Sequence, residues 1–487
     1  MITNDNSFIN FRHKVIEEVC RLAWDKKLNK NTTEELVYEL TKDNKPKFRC
    51  CIYKEREVLR QRINLAMGEK QDNKNDDQIV QVIDAACMEC PISSYSVTDN
   101  CRFCIGRPCL SACKFDAISK GEIRMHIDSK KCKECGKCAE VCPFNAIIHL
   151  ERPCKRACSV NAITYDEDGI CVISKEKCID CGSCIHSCPF GAISSKTYLV
   201  QIIDKILNGY EVYAMCAPAT EGQFGENVSL DDLRDAVKKL GFKDLIDVGF
   251  GGDIVAYYES KEWSECMKSG KKLTTSCCPS FKTMLKKHFN EQYKNNVSNV
   301  VSPMCAVSRY LKNKHKNCIT VFIGPCVAKK AEALDKTILN NADYAMTYGE
   351  FTTLLRSKNI TIESNSKYSQ ESSIYGKKFA MSGGVAGAVI ECMKERGEDV
   401  SKVEYVKASN GKECMSSLSL LKANKLKEQF IEGMVCDGGC VGGPSKRKLL
   451  KEILSAREKL LDKADNRSII ENLKNYDLEN ISMFVDK

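Results

Sequence analysis

The sequence predicts an α/β domain preceded by two small α+β cysteine modules and an N-terminal helical region. Three observations carry this reading. Residues 197–445 alternate short β-prone apolar runs with longer amphipathic stretches, the pattern of strands and crossover helices. Residues 81–196 hold an internal repeat of cysteine motifs. Residues 1–80 are polar, with apolar positions at mixed spacings of three and four in Phe11–Leu28 and Glu34–Leu40. A chain of 487 residues is long enough for about two to four domains.

Cysteine sets the class. The chain has 31 cysteines, far above ordinary usage. Disulfide frameworks belong mostly to short secreted chains, and Met1–Arg12 is polar, without the apolar core of a signal segment. No apolar run is long enough to span a bilayer. A soluble cytoplasmic protein of a reducing, anaerobic cell is therefore expected. The net charge of +9 comes from 74 basic and 65 acidic residues without a basic stripe interleaved with aromatics, which argues against nucleic acid. A weak field that steers an acidic redox partner is compatible with it.

Taken in order, Cys50-Cys51 reads as two small core or surface thiols, and Gln71–Asp77 as a linker. From Cys87 the repeat begins. Cys-x-x-x-Ala-Ile recurs at Cys113, Cys142, Cys158 and Cys188, and Arg107-Pro108-Cys109 returns as Arg152-Pro153-Cys154. Cys132, Cys135, Cys138 and Cys142-Pro143 are spaced as Cys178, Cys181, Cys184 and Cys188-Pro189. This is the run of bacterial ferredoxins, whose thiolates hold [4Fe–4S] clusters, the fourth cysteine ligating the other cluster of a pair. Zinc is the main alternative for Cys-x-x-Cys pairs, but a third cysteine at the same step and the Cys-Pro ending favour iron–sulfur. Adding Cys87, Cys90, Cys101, Cys104, Cys109, Cys113, Cys154 and Cys158 gives sixteen ligands, enough for four accessory clusters. Cys113 is expected with Cys132, Cys135 and Cys138, and Cys158 with Cys178, Cys181 and Cys184. The partition of the other eight stays open, and Cys171 reads as structural.

In the α/β region, strands are expected at Glu211–Ala214, Asp244–Phe250 and Cys318–Ile323. Helices are expected at Leu230–Leu240, from Gly252 to about Lys268, at Ser280–His288 and at Gly349–Arg356. Ligands in such folds gather where strands end. Three cysteine stretches fall there: Thr275-Ser276-Cys277-Cys278-Pro279, Gly324-Pro325-Cys326-Val327-Ala328-Lys329, and Met434 to Pro444 with Cys436 and Cys440. They supply four soft thiolates for one cubane, Cys278, Cys326, Cys436 and Cys440, with Cys277 and Lys329 left over. Met381–Gly387 is glycine-rich but lacks the Gly-Lys-Ser/Thr ending of a phosphate loop, so packing against the cofactor is expected instead. Residues 446–487 read as a charged helical extension.

The three-part signature resembles the active-site motifs of [FeFe]-hydrogenases, over roughly residues 85–445. The resemblance implies that 197–445 is an H-cluster domain, 81–196 a pair of ferredoxin-like modules, and the activity the reversible interconversion of hydrogen with two protons and two electrons. It implies a cubane on Cys278, Cys326, Cys436 and Cys440, bridged through Cys440 to a two-iron unit with carbonyl, cyanide and azadithiolate ligands. Lys329 matches the lysine that contacts a cyanide, while Lys330 reads as a surface lysine. Cys277 matches the proton donor, and Glu259, Glu262 and Ser298 match a relay. The spacing from the two carboxylates to Cys277 is slightly shorter than in the family. Ala217, Pro218, Met304, Pro325 and Met434 match positions around the cofactor. Ferredoxin as electron carrier and maturation proteins for the two-iron unit are the implied partners.

The chain departs from the common pattern at Gly324, where many members have Met, at Ala219, where Ser is frequent, and in the shorter ending Gly442-Gly443-Pro444. These changes resemble the branch called group B. A slow hydrogen-sensing homologue and a non-enzymatic iron–sulfur assembly protein of the same fold are the rival readings. An NAD-linked multisubunit enzyme is weaker, for the chain has no dinucleotide motif.

Overall fold

The computed structural model describes residues 7–69, 78–88, 90, 94–364 and 368–485. The expected linker Gln71–Asp77 lies outside these residues. Two parallel sheets organise the C-terminal region. The larger has strand order Asp244–Asp247, Val212–Cys216, Ile319–Gly324, Tyr344–Thr347. The smaller has order Leu273–Thr274, Phe430–Gly433, Tyr405–Ala408. Val212–Cys216 is buried along its whole length, as expected of a strand covered on both faces. The expected strand Asp244–Phe250 stops at Asp247, because Gly249 opens the 21-residue helix Gly249–Ser269. The small residues there let that helix lie close to its neighbours: a Cβ on Gly251 would be 2.4 Å from the Pro303 carbonyl oxygen. Leu230–Leu240 forms as expected, with a Ser229–Asp232 capping box at its start and Gly241 at φ 105° at its end.

The cysteine-rich region is built from short antiparallel pairs. Ser94–Val97 pairs with Ile147–Leu150, Ile118–Lys120 with Met125–Ile127, and Ile163–Tyr165 with Cys171–Ile173. Val80–Val82 pairs with Ile193–Ser195, so the segment's two ends meet. Residues 97–147 have a small core of their own around Val97, Ile118, Met125 and Ile147.

The helices Ser7–Trp24, Lys30–Leu40 and Ile52–Met67 share one core with the larger sheet: Val15, Val19, Leu36 and Leu59 pack in the cluster that holds Val212, Val321, Tyr348 and Leu354. The C-terminal residues are integrated as well. Ile453, Ile469 and Met483 join the main core, and Val300 bridges to Phe484. Helix there is confined to Leu450–Leu461 and Ile469–Leu473, so the last stretch is a strap instead of a helical extension. Lys330 is the other correction. It is fully buried, with Nζ 2.5 Å from Glu350 Oε1, 2.7 Å from the Lys196 carbonyl and 3.1 Å from the Ser195 hydroxyl. A helical turn from Ala328 that packs inward carries it to a partner its sequence neighbourhood does not reveal.

Candidate functional site

Strand ends from both sheets converge on one cavity. Cys216 leads into Ala217-Pro218, Thr274 into Cys277-Cys278, Gly324 into Pro325-Cys326, and Gly433 into Met434–Cys440. The cavity is lined by Cys277, Cys278, Cys326, Cys436 and Cys440. Lys329, Ala217, Pro218, Met304, Pro325 and Met434 also line it, so all these residues expected from sequence come to one place. The sequence did not point to Phe322, Phe379 and Ala380, which complete the walls.

Close packing shapes the site. A Cβ on Gly433 would lie 2.4 Å from the Phe281 ring, and one on Gly439 (φ 84°) 2.6 Å from the Ser382 nitrogen. Gly324 faces the Phe322 ring, with only 2.5 Å for a Cβ. Phe322 thus takes the volume that a larger residue at 324 would need. The glycine-rich stretch after Ala380 bridges from Met381 to Gly439 and opens the helix Gly384–Glu395. Glu432 accepts from the Gly383 and Ala386 N–H groups at 2.6 and 2.7 Å, so a carboxylate of the chain itself fills this helix N-terminus.

The donor set fits an iron–sulfur group. Burial raises the pKa of Cys278, Cys326 and Cys436, to about 12 for Cys326, and the neighbouring thiolates raise Cys326 and Cys436 further. Burial and the facing thiolates act the same way on Cys440. Four thiols around one space, Cys278 buried and the other three half-buried, ionise together only against a cationic centre. Cys277 is pushed well up by burial, then by Glu259 and the neighbouring thiolates, so it is a protonated thiol at neutral pH. Lys329 is buried, with Nζ 2.6 Å from Glu332 Oε2 and 3.5 Å from the Cys277 carbonyl. Burial pulls its pKa down, and Glu332 and the thiolates more than offset this, leaving it raised and the ammonium charged. Glu332, three residues on, is a partner that helical spacing could have revealed.

Behind Cys277 stands Glu259, fully buried on the long helix, with Glu262 one turn further on and partly open. Burial and the Glu262 charge push the Glu259 carboxyl up to about 8, while the Ser298 hydroxyl and the Ser276 N–H alongside pull it down. Neither closes a well-formed hydrogen bond, so both Glu259 oxygens lack one among the described residues. Glu262 Oε1 accepts from the Asn299 N–H at 3.1 Å; its Oε2, Thr274 Oγ1 and Trp263 Nε1 also lack partners. Buried polar groups left in this way are where ordered water belongs. Ser298 is buried, its hydroxyl accepting from the Val300 N–H.

Eight of the sixteen accessory cysteines line two cavities, four in each. One cavity is lined by Cys113, Cys132, Cys135 and Cys138, the set expected from spacing. A second is lined by Cys101, Cys104, Cys109 and Cys142. Cys87 and Cys90 lie in the field of Cys154 and Cys188. Burial, then Cys181, Cys178, Cys158 and Cys154, raise the pKa of Cys184. This last group abuts the main cavity: a Cβ on Gly182 would be 3.0 Å from Val327 and 3.2 Å from Pro444. Cys171, read as structural, donates its N–H to Cys87 Sγ at 3.3 Å, and its thiol hydrogen-bonds Cys154, holding that thiol down.

Comparison with known proteins agrees with this chemistry. Residues 210–444, nearly half the chain, match the profile "Iron only hydrogenase large subunit, C-terminal domain". Residues 125–148 match a 4Fe-4S binding domain and 148–199 the LdpA Fe-S cluster-binding domain. Iron hydrogenase 1 of Clostridium pasteurianum is 26% identical over 394 residues, 69% of this chain and 67% of that one. The periplasmic [Fe] hydrogenase large subunit of Nitratidesulfovibrio vulgaris is 28% identical over 375 residues, 66% of this chain and 85% of that one. Among solved structures, a variant of [FeFe]-hydrogenase HydA1 from Chlamydomonas reinhardtii aligns with a TM-score of 0.45 at 18% identity, covering 58% of this chain and 95% of that one. The profile match, the two hydrogenase relatives and the iron–sulfur domains beside it agree: residues 210–444 form a domain of the iron-only hydrogenase large-subunit type.

Proposed function

We propose that the chain interconverts H2 with two protons and two electrons, exchanging electrons with a ferredoxin-type carrier through four accessory [4Fe–4S] clusters. One observation supports this above the others: the four thiols, Cys277 and Lys329 line a single buried cavity, with Glu259 close enough behind to raise the Cys277 pKa. Cys278, Cys326, Cys436 and Cys440 would hold the cubane, with Cys440 as the bridge to the two-iron unit. When bound, that unit, with its carbonyl, cyanide and azadithiolate ligands, supplies the redox centre at which the hydrogen–hydrogen bond is made or broken.

The protein's own part is to hold, dry and feed this centre. Lys329, kept charged and aimed by Glu332, offers an ammonium to an anionic ligand in an apolar cavity. Cys277 is protonated and carries the proton in and out of the site. Glu259, beside the Ser298 hydroxyl, is poised near neutrality and passes it toward Glu262. Ala217, Pro218, Met304, Pro325 and Met434 exclude solvent. The accessory cysteines would hold the groups that carry electrons, and the Gly182 loop, against Val327 and Pro444, brings the last of them beside the main cavity.

Maturation proteins would insert the two-iron unit, and a reducing cytoplasm suits so many free thiols. Gly324 and Ala219 fit a group B-type site. No helix among the described residues is long and apolar enough to cross a membrane. The test is an infrared spectrum of the anaerobically matured protein in the metal carbonyl and cyanide region. Bands that shift under hydrogen are expected; their absence in a fully matured sample with intact accessory clusters would overturn the proposal.

A further inference from the structure

The accessory cysteine loops are not equivalent. In the run Cys132, Cys135, Cys138 two residues separate successive cysteines, whereas four separate Cys104 from Cys109. The longer loop turns outward. Ile105 is 99% exposed, the most exposed large apolar side chain among the described residues. A Cβ on the next residue, Gly106, would meet nothing within 4 Å. An isoleucine held in water between two cluster-cavity cysteines contributes nothing to a core; one such residue alone is ordinary on a surface, and it gains meaning from the charge and the exposed aromatic ring in the same module.

Its surroundings suit one kind of partner. Phe144, 46% exposed, lines the cavity of Cys101, Cys104, Cys109 and Cys142, so exposed apolar surface lies at the cluster position as well as on the loop. Residues 100–115 carry Arg102, Arg107 and Lys114 and no acidic residue. Arg107 and Lys120 lie 5.8 and 5.5 Å from the Phe103 ring centre. Two acidic residues flank the run, Asp99, which is occupied by Arg124, and the exposed Asp116, so the run with Lys120 stays cationic. Exposed apolar contact within a cationic rim, over a redox centre, fits an acidic surface with its own redox centre close behind it.

We infer that the Cys104–Cys109 loop is a docking knob for an acidic iron–sulfur electron-carrier protein. Ile105 enters an apolar dent of the carrier, and Arg102 and Arg107 meet its carboxylates. Each encounter moves one electron from the reduced carrier, which is oxidised, to the group held by Cys101, Cys104, Cys109 and Cys142, which is reduced. Two encounters supply the pair that two protons require, and no atom is transferred at the knob. This rests on the hydrogenase reading for its purpose but not for its geometry.

The test uses the matured holoprotein, the variants Ile105→Ser and Arg102→Glu, and a purified acidic two-cluster ferredoxin as probe. Affinity is measured by calorimetric titration at low and high salt. Hydrogen evolution is measured with reduced ferredoxin and, separately, with reduced methyl viologen, a small donor that needs no docking surface. Ile105→Ser is expected to weaken ferredoxin binding and raise its KM about tenfold, with dye-driven rate and cluster absorbance unchanged. Arg102→Glu should weaken binding most at low salt. Unchanged ferredoxin affinity in Ile105→Ser would overturn the proposal. So would loss of cluster absorbance in that variant, or a wild-type dimer that the variant abolishes, which would assign the knob to a second copy. Ferredoxin binding that depends on Ile105 in a protein inactive with dye would sink the hydrogenase reading and leave the knob standing.

Discussion

Lys330→Met probes the seam between the accessory region and the large sheet. The lysine is fully buried and its ammonium has three partners: Glu350, the Lys196 carbonyl and the Ser195 hydroxyl. Ser195 and Lys196 leave the last accessory strand, while Glu350 caps the helix Tyr348–Ser357. Methionine keeps most of the volume but strands a buried carboxylate that retains the Thr347 N–H at 2.8 Å. Removing one member of a buried pair costs about 3–5 kcal/mol, against about 1 kcal/mol for a surface pair. Lys330→Met/Glu350→Gln removes the stranded charge and should recover about half of that loss. The assay is urea denaturation of the loaded protein under argon, followed by iron–sulfur absorbance and near-ultraviolet dichroism, whose coincidence checks that one transition is observed. A loss under about 1 kcal/mol for the single variant, or a double variant no better than the single, would refute the reasoning.

Cys277→Ala should keep its cluster absorbance and infrared bands but lose at least about 100-fold in hydrogen turnover, since it removes only the proton donor; near-normal turnover would falsify the relay role. Glu259 has a folded pKa of about 8, above its unfolded value near 4.5, so the folded state binds the extra proton and stability falls as pH rises between those values. Denaturation midpoints should therefore drop from pH 5 to 8 more steeply in the wild type than in Glu259→Gln, by a few kcal/mol at most; parallel profiles count against a buried titrating carboxyl. Gly433→Ala should destabilise by about 1–3 kcal/mol through its clash with Phe281, measured by the same urea titration, with no change if the ring can swing aside. A matured chain should carry about 22 irons by colorimetric assay, about 20 in five cubanes and two in the two-iron unit, and a value near 14 would remove two accessory clusters.

The parts that were legible in the sequence are those whose chemistry fixes spacing. Cysteines on a cluster cannot drift, so the ferredoxin runs and the three later motifs could be read directly, and Cys113 joins Cys132, Cys135 and Cys138 around one cavity. Strand ends were legible where a turn residue follows, less so at Asp247, where the helix begins two residues on. Burial of charge was not legible. Lys329 and Lys330 are neighbours of the same type, yet one faces the cavity and the other the seam, because a helical turn separates adjacent side chains by about 100°. Phe322 was missed because an aromatic in a strand looks like ordinary core; only the backbone approach at Gly324 shows that it shapes the site.

The shared core of the first three helices and the large sheet also bears on synthesis. Val15 and Val19 come to rest beside Tyr348 and Leu354, residues translated more than 300 positions later. At ordinary elongation rates the early helices wait roughly 20–60 s with an apolar face uncovered. Between them the ribosome delivers the segment 97–147, whose core is its own. The cysteines of that segment can thus come together on the nascent chain while the first helices still wait for the large sheet, and the cavity that needs Cys436 and Cys440 closes last.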